Sequence, residues 1–297
     1  MTKKGCVWGW LIGALAILVI FLATIVALES LLGQQVSLPS YGAHVGLVRM
    51  EGAVYDSRRI VEDLDGMLTD RGVRAVVMRI DSPGGGAAAA QEIYSKVTEI
   101  RDAGLPLVVS MGSVAASGGY YVACAADTVY ANPGTITGSI GVIMSFSNLE
   151  ELFGKIGVGF EVVKSGRFKD TGSWSREMTE AERALLQGTV DDIHAQFVEA
   201  VATERGMSRE DVAALADGRI FSGRQALEEG LIDRLGTLED AVYAAARMAG
   251  IEGTPRVQEP VSRQRLTLWD ILAGGASQLL DQAPVPSGAH YLYSPSK

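Results

Sequence analysis

Between Lys4 and Glu29 the chain has no charged side chain, and the run Gly5 to Leu28 is dominated by Leu, Ile, Val, Ala and Phe. A helix of 24 residues is long enough to span the hydrocarbon core of a bilayer. Lys3 and Lys4 precede it and no Ala-x-Ala-like cleavage signal follows closely, which favours a retained anchor over a removable signal peptide. By the positive-inside tendency the N-terminus stays in the cytoplasm, and everything after about residue 30 lies on the outer side. Trp8 and Trp10 fit an interfacial anchor, and Cys6 is separated by the membrane from Cys124, so the two do not pair.

The chain beyond the anchor is long enough, among 297 residues that are 47% hydrophobic, to bury a substantial core as one sizeable domain. A formal charge of −9 disfavours a nucleic-acid binder, whose phosphate contacts leave a basic excess. Two cysteines exclude a disulfide scaffold, and His44, His194 and His290 show no metal-ligand spacing.

After a polar linker containing Pro39 and Gly42, apolar runs of strand length recur at Val45–Met50, Ala75–Ile80, Leu107–Ser110, Thr128–Ala131, Gly141–Phe146 and Phe160–Lys164. Helical patterns separate or succeed them at Arg58–Thr69, Ala87–Asp102, Ala115–Ala126, Asn148–Ile156, Thr179–Glu204, Arg209–Ala216, Gly223–Glu229 and Leu238–Met248. This alternation predicts an α/β domain with largely parallel pairing. Thr179 and Glu182 offer a capping box for the long helix, and Gly206 stands just past its end. From Thr254 the composition changes: Pro255, Pro260, Pro284 and Pro286 bracket an apolar patch, Leu266–Leu280, which reads as a tail rather than a second domain. The expected division is 1–30 for the stub and anchor, 31–44 for a linker, 45–253 for the folded domain and 254–297 for the tail. The tail is either disordered with one docked helix or a self-processing or assembly arm.

Three glycine-rich stretches carry the chemistry. The first, Asp81-Ser82-Pro83-Gly84-Gly85-Gly86, comes after a strand and precedes the Ala87–Ala90 run. Its glycines expose backbone N–H groups, yet no Gly-Lys-Ser/Thr comes after it, so it is not a P-loop. An oxyanion hole and a plain strand-to-helix turn both remain open. The second, Gly112 to Tyr121, again joins strand to helix, and small neighbours keep Ser117 accessible. A serine nucleophile needs an activating base. His44 and His290 sit in the linker and the tail, and His194 lies within a long helix as an ordinary satisfied histidine, so a lysine fits better than a Ser-His-Asp triad. The third, Val163 to Asp170, contains Lys169, which acts as a base only when neutral, a form that burial favours. Thr137-Gly138-Ser139-Ile140-Gly141 adds a hydroxyl at Ser139 that orients an amine or belongs to an ordinary turn.

Together, Asp-Ser-Pro-Gly-Gly, Ala-Ala-Ser-Gly-Gly-Tyr-Tyr, Thr-Gly-Ser-Ile-Gly-Val and Ser-Gly-x-x-Lys-Asp resemble the signal peptide peptidase A family in its single-domain form, over about residues 45 to 250 and the anchor. The resemblance implies Ser117 as nucleophile, Lys169 as general base and Ser139 as the residue that hydrogen-bonds the lysine. It also implies an oxyanion hole from the N–H groups of Gly84 and Ser117. It implies the Clp-protease/crotonase-like fold of stacked β-β-α units and bowl-shaped homo-oligomers, octamers being expected, with one subunit supplying both members of the dyad. Trp174-Ser175 departs from the family pattern, which carries a proline there.

The expectation is therefore a membrane-anchored, extracytoplasmic serine endopeptidase with a Ser-Lys dyad. It needs no cofactor and no metal, and it degrades remnant signal peptides and other apolar peptides in a hydrophobic groove near Ser117. Two alternatives stand beside it: a crotonase-like enzyme acting on acyl-coenzyme A, which would use a similar glycine-loop oxyanion hole, and a catalytically silent membrane scaffold.

Overall fold

A computed structural model describes residues 42–260 and 290–292 of the chain. The expected anchor at 5–28 and the apolar tail patch Leu266–Leu280 lie outside the described residues. Among the described residues no helix is long and apolar enough to cross a membrane.

In chain order the first elements are β1 (His44–Glu51), α1 (Arg58–Thr69), β2 (Val73–Ser82), β3 (Gly84–Gly86), α2 (Ala87–Asp102), β4 (Leu107–Ala116), α3 (Gly118–Ala123), β5 (Thr128–Ala131) and β6 (Ile136–Gly138). They are succeeded by α4 (Glu150–Lys155), α5 (Glu180–Arg205), α6 (Arg209–Leu215), β7 (Ile220–Ser222), α7 (Gly223–Glu228), β8 (Arg234–Leu235), α8 (Leu238–Met248), β9 (Val257–Gln258) and β10 (His290–Leu292). One sheet of eight strands runs β7-β6-β4-β2-β1-β9, with β5 on β4 and β8 on β5. Every pairing in it is parallel except β6 with β7.

The central strands read as near-continuous apolar runs because both faces of the sheet are covered. Val76, Met78 and Ile80 face a core shared with Leu64 of α1 and with Ile93, Val97 and Ile100 of α2. The intervening Ala75 and Val77 face the other core, closed by Ala241, Val242 and Ala245 of α8. Burying each large aliphatic side chain contributes roughly 1.5–3 kcal/mol, so these two layers hold the sheet. The long α5 begins with the expected capping box of Thr179 and Glu182 and ends at Gly206 in the left-handed conformation, φ 61°.

Strand β4 changes partner along its length: Val108 to Ser110 pair with β5, whereas Val114 to Ala116 pair with β6. The switch is made by an irregularity, since Ile80 stands opposite Met111 but Ser82 stands opposite Ala115. The Asp81 carboxylate fills it, accepting the Val114 N–H at 3.1 Å, and a Cβ on Gly112 would stand 2.6 Å from that carboxyl. These contacts require a short residue at 112 and an acceptor at 81.

The structure departs from the sequence reading in several places. Gly141–Phe146 and Phe160–Lys164 form no named strand, and the neighbour of β6 on its outer side is β7 instead. The helix expected from Ala115 begins only at Gly118, because β4 runs on to Ala116. Gly84–Gly86 is a strand instead of a simple turn.

Candidate active site

Ser117 stands between the end of β4 and the start of α3, with φ 52° and ψ −118°. That left-handed backbone is costly for a residue with a Cβ, and such strain concentrates at functional positions. A sharp strand-to-helix elbow of this kind thrusts a serine hydroxyl forward. Among the described residues just one other non-glycine residue has positive φ, and it is Ser139, at 51°. Ala116 pairs with Gly138, so the two strained serines stand just past the paired ends of neighbouring strands. The Ser117 N–H donates to the Gly138 carbonyl at 2.7 Å and the Ser139 N–H to the Arg219 carbonyl at 2.8 Å, which clamp both turns.

The glycines bring the first loop against this elbow. A Cβ on Gly119 would lie 2.9 Å from the Ser82 carbonyl oxygen, so α3 approaches the end of β2 as only glycine allows. Ser82 in turn donates its hydroxyl to the Gly52 carbonyl at 2.6 Å and accepts the Gly84 N–H at 3.1 Å. On one edge of β3, Val54 donates its N–H to the Gly84 carbonyl and accepts the Gly86 N–H, both at 2.9 Å. The N–H and C=O of Gly85 therefore point to the opposite edge.

Ser117 is 1% exposed, more enclosed than its small neighbours suggest, and its Oγ has no hydrogen-bond partner among the described residues. A buried hydroxyl left unpaired is costly and calls for a reason. Ser139 is also buried, at 8% exposure. Lys169 is exposed, on a turn in which its N–H donates to the Gly166 carbonyl at 3.1 Å. The structure thus sets Ser117 and Ser139 just past the paired ends of β4 and β6, and among the described residues the Ser117 Oγ makes no hydrogen bond to the exposed Lys169. Gly84 and Ser117, whose N–H groups the sequence reading places in an oxyanion hole, both spend them on internal acceptors. The residue after Ser117, Gly118, is the first of α3, where helix geometry leaves the N–H without an intrahelical acceptor. The outward N–H groups of Gly85 and Gly118 have no local sequence signal, because the direction of an N–H depends on strand pairing and helix start.

Lys169 belongs to a lobe, residues 142–178, that packs around its own aromatic cluster. The rings of Phe153, Phe160 and Trp174 stand 4.8–4.9 Å apart, and the Trp174 carbonyl accepts the Leu149 N–H at 2.7 Å. Trp174 thus has a packing role. The lysine turn is pinned at Asp170, whose carboxylate pairs with Lys164 and with Arg176, the latter at 3.0 Å. Arg176 continues to Glu182 at 2.5 Å, the buried carboxylate that caps α5. The Arg176 guanidinium, helped by Lys164, holds the Asp170 carboxyl well below the usual range. Arg176 and the Thr179 N–H lower Glu182 to about 2. A cavity of about 490 Å³ in this lobe is lined by Phe153, Phe160, Val162, Lys164, Asp170 and Arg176 among others, and does not include Ser117.

His194 is no part of the site: its Nε2 bonds the Ala216 carbonyl at 2.8 Å. Cys124 is buried and burial pushes its thiol up, so it is not a nucleophile.

Residues 99–252, just over half of the chain, match Peptidase family S49. The chain is 47% identical over 209 residues to a putative protease of Synechocystis sp., an alignment covering 70% of this chain and 75% of that protein. It is 38% identical to a putative signal peptide peptidase SppA of Enterococcus faecium, over 63% of this chain and 55% of the relative. It is 31% identical to protease 4 of Haemophilus influenzae, over 72% of this chain and 36% of that longer protein. The matched segment contains Ser117, Ser139 and Lys169 but not the first glycine loop.

Proposed function

The chain belongs to peptidase family S49 and is a serine protease, and from that premise we propose that it cleaves peptides with Ser117 as nucleophile and Lys169 as general base. The observation that carries this reading is the unpartnered, buried Ser117 Oγ on a left-handed elbow. In the cycle, neutral Lys169 takes the Ser117 proton and the alkoxide adds to the scissile carbonyl. The resulting oxyanion accepts hydrogen bonds, and collapse releases the amine with the proton held by the lysine. Water then attacks the acyl-enzyme with Lys169 again as base, and Ser139 orients the amine. For the oxyanion donors we assign the N–H groups of Gly85 and Gly118, because those of Gly84 and Ser117 are already engaged.

The amine comes from a second copy of the chain. Lys169 is exposed on a lobe that also exposes Leu152, Ile156, Val158, Phe160, Val162 and Val163, the last at 97%. So much apolar surface on one lobe supports association of copies, which would carry the lysine to a neighbour's Ser117, enclose it and favour its neutral form. A homo-oligomer held to the outer face of a membrane by residues 5–28, degrading remnant signal peptides and similar apolar strands, is the whole-protein reading.

Ser117→Ala and Lys169→Ala test the dyad. Each is expected to fold normally and to lower hydrolysis of an apolar peptide by about a thousandfold or more. Hydrolysis at the wild-type rate by either folded variant rejects it.

A further inference from the structure

Where β4 changes partner the regular ladder is interrupted, and side chains hold the main-chain groups of its residues. Arg79 donates to the Met111 carbonyl at 3.0 Å, and the Thr135 hydroxyl donates to the Gly112 carbonyl at 2.7 Å. Closer to Ser117, the Asp81 carboxylate accepts the Val114 N–H at 3.1 Å and the Thr137 hydroxyl donates to the Ala115 carbonyl at 2.7 Å. Asp81 comes from β2 and Thr137 from β6, which flank β4 on opposite sides. We propose that Thr137 and Asp81 are positioning residues for the nucleophile: together they hold the end of β4 from its two sides and so aim the Ser117 hydroxyl.

This inference rests on the reading of Ser117 as nucleophile for its consequence, whereas the contacts themselves do not depend on it. A residue with a Cβ persists at positive φ only where its surroundings over-determine the backbone, and these side chains supply that constraint. Thr137 is followed by Gly138, whose carbonyl accepts the Ser117 N–H at 2.7 Å. The dipeptide Thr137-Gly138 therefore grips β4 on both sides of Ala116, once through a side chain and once through the backbone, and leads directly into Ser139. One short strand thus sets both left-handed serines relative to each other. Thr137 and Ala115 are both fully buried. Packing alone would be met by valine, which has the same branched shape, so the hydroxyl is what distinguishes threonine here. Removing it leaves the buried Ala115 carbonyl without this donor, and the strand end must shift to find another. A displacement of about 1 Å at a reacting group can cost on the order of a hundredfold in rate.

Thr137→Val and Thr137→Ser in the full chain test the proposal. Thr137→Val is expected to lower kcat for an apolar peptide about tenfold or more with KM unchanged, and to leave the pH dependence of kcat in place because the general base is untouched. Thr137→Ser keeps the hydroxyl and should stay within about threefold of wild type. Hydrogen exchange at the Ser117 amide should quicken about tenfold in Thr137→Val but not in Thr137→Ser, with the Val109 amide in the middle of β4 unchanged in both. Should Thr137→Val not fold, Asp81→Ala and Asp81→Asn form a second pair: alanine removes the acceptor of the Val114 N–H and should lose kcat in the same way, whereas asparagine keeps an acceptor oxygen and should restore it. Wild-type kcat in folded Thr137→Val overturns the proposal. So does an equal loss in Thr137→Ser, or a loss of kcat with unchanged Ser117 exchange. If Ser117→Ala hydrolyses the peptide at the wild-type rate while Ser117 exchange still responds to Thr137→Val, the grip on β4 stands and the nucleophile assignment is what fails.

Discussion

Ser117 and Ser139 share a property that no residue pattern announces: each is held at positive φ, where a side chain costs about 1–3 kcal/mol. The sequence marks both through their glycine neighbours, and the tertiary clamps at the Gly138 and Arg219 carbonyls account for the strain. Gly85 is the most constrained of the glycines around the site, because its absent Cβ would meet backbone and not a movable side chain. Gly85→Ala should therefore displace β3, cost about 2 kcal/mol or more in urea unfolding and reduce peptide hydrolysis at least tenfold. A variant with wild-type stability and rate would show that β3 is not held as described. Sequence reasoning placed Asp81 in the first loop but gave its carboxylate no role; that role, shaping β4, exists only where β2 and β4 lie side by side.

Among the elements, those with local signals were legible. The capping box of Thr179 and Glu182 and the terminal Gly206 fix both ends of α5 from neighbours within a few residues. Strands were legible where long runs are buried on both faces, as in β1, β2 and β4, and missed where two or three residues complete an edge, as in β6 to β9. The chain from Asp170 through Arg176 to Glu182 ties the lysine turn to the start of α5, a link between segments that the sequence reading kept apart. Glu182, lowered from the ordinary 4.5 to about 2, favours the folded state above pH 4.5, and that contribution fades as pH falls towards 2. Limited proteolysis between Lys164 and Arg176 should accordingly increase over that window, ahead of cleavage within the sheet. Arg176→Gln should release the turn at neutral pH and lower activity about tenfold while leaving exchange in the β2–β4 core unchanged. Resistance of the turn in that variant would separate the ion pairs from positioning of Lys169.

For the whole molecule, the exposed apolar lobe, the exposed Lys169 and the unpaired Ser117 Oγ make one prediction. Mixing inactive Ser117→Ala with inactive Lys169→Ala, after dissociation and reassembly, should restore a measurable fraction of wild-type hydrolysis, because each mixed contact joins an intact serine to an intact lysine. No recovery in mixed oligomers would return both groups to a single chain. Ile156→Glu combined with Val163→Glu, two exposed positions on this lobe, should reduce the sedimenting mass and the activity together without lowering the unfolding midpoint of the domain. Loss of mass with full activity would detach catalysis from assembly.

The amino-acid sequence by itself determined the alternation of apolar strands and amphipathic helices, the caps of the long helix and the membership in a serine peptidase family. Periodicity, capping and motif chemistry all act over a few neighbouring residues. Only the tertiary structure decided which N–H groups are spent and which point outward from the glycine strand, that Ser117 is enclosed and unpaired, and that the tail strand lies on Gly85. Each of these depends on which distant segments share an edge, and strand pairing across about two hundred residues leaves no mark in local sequence.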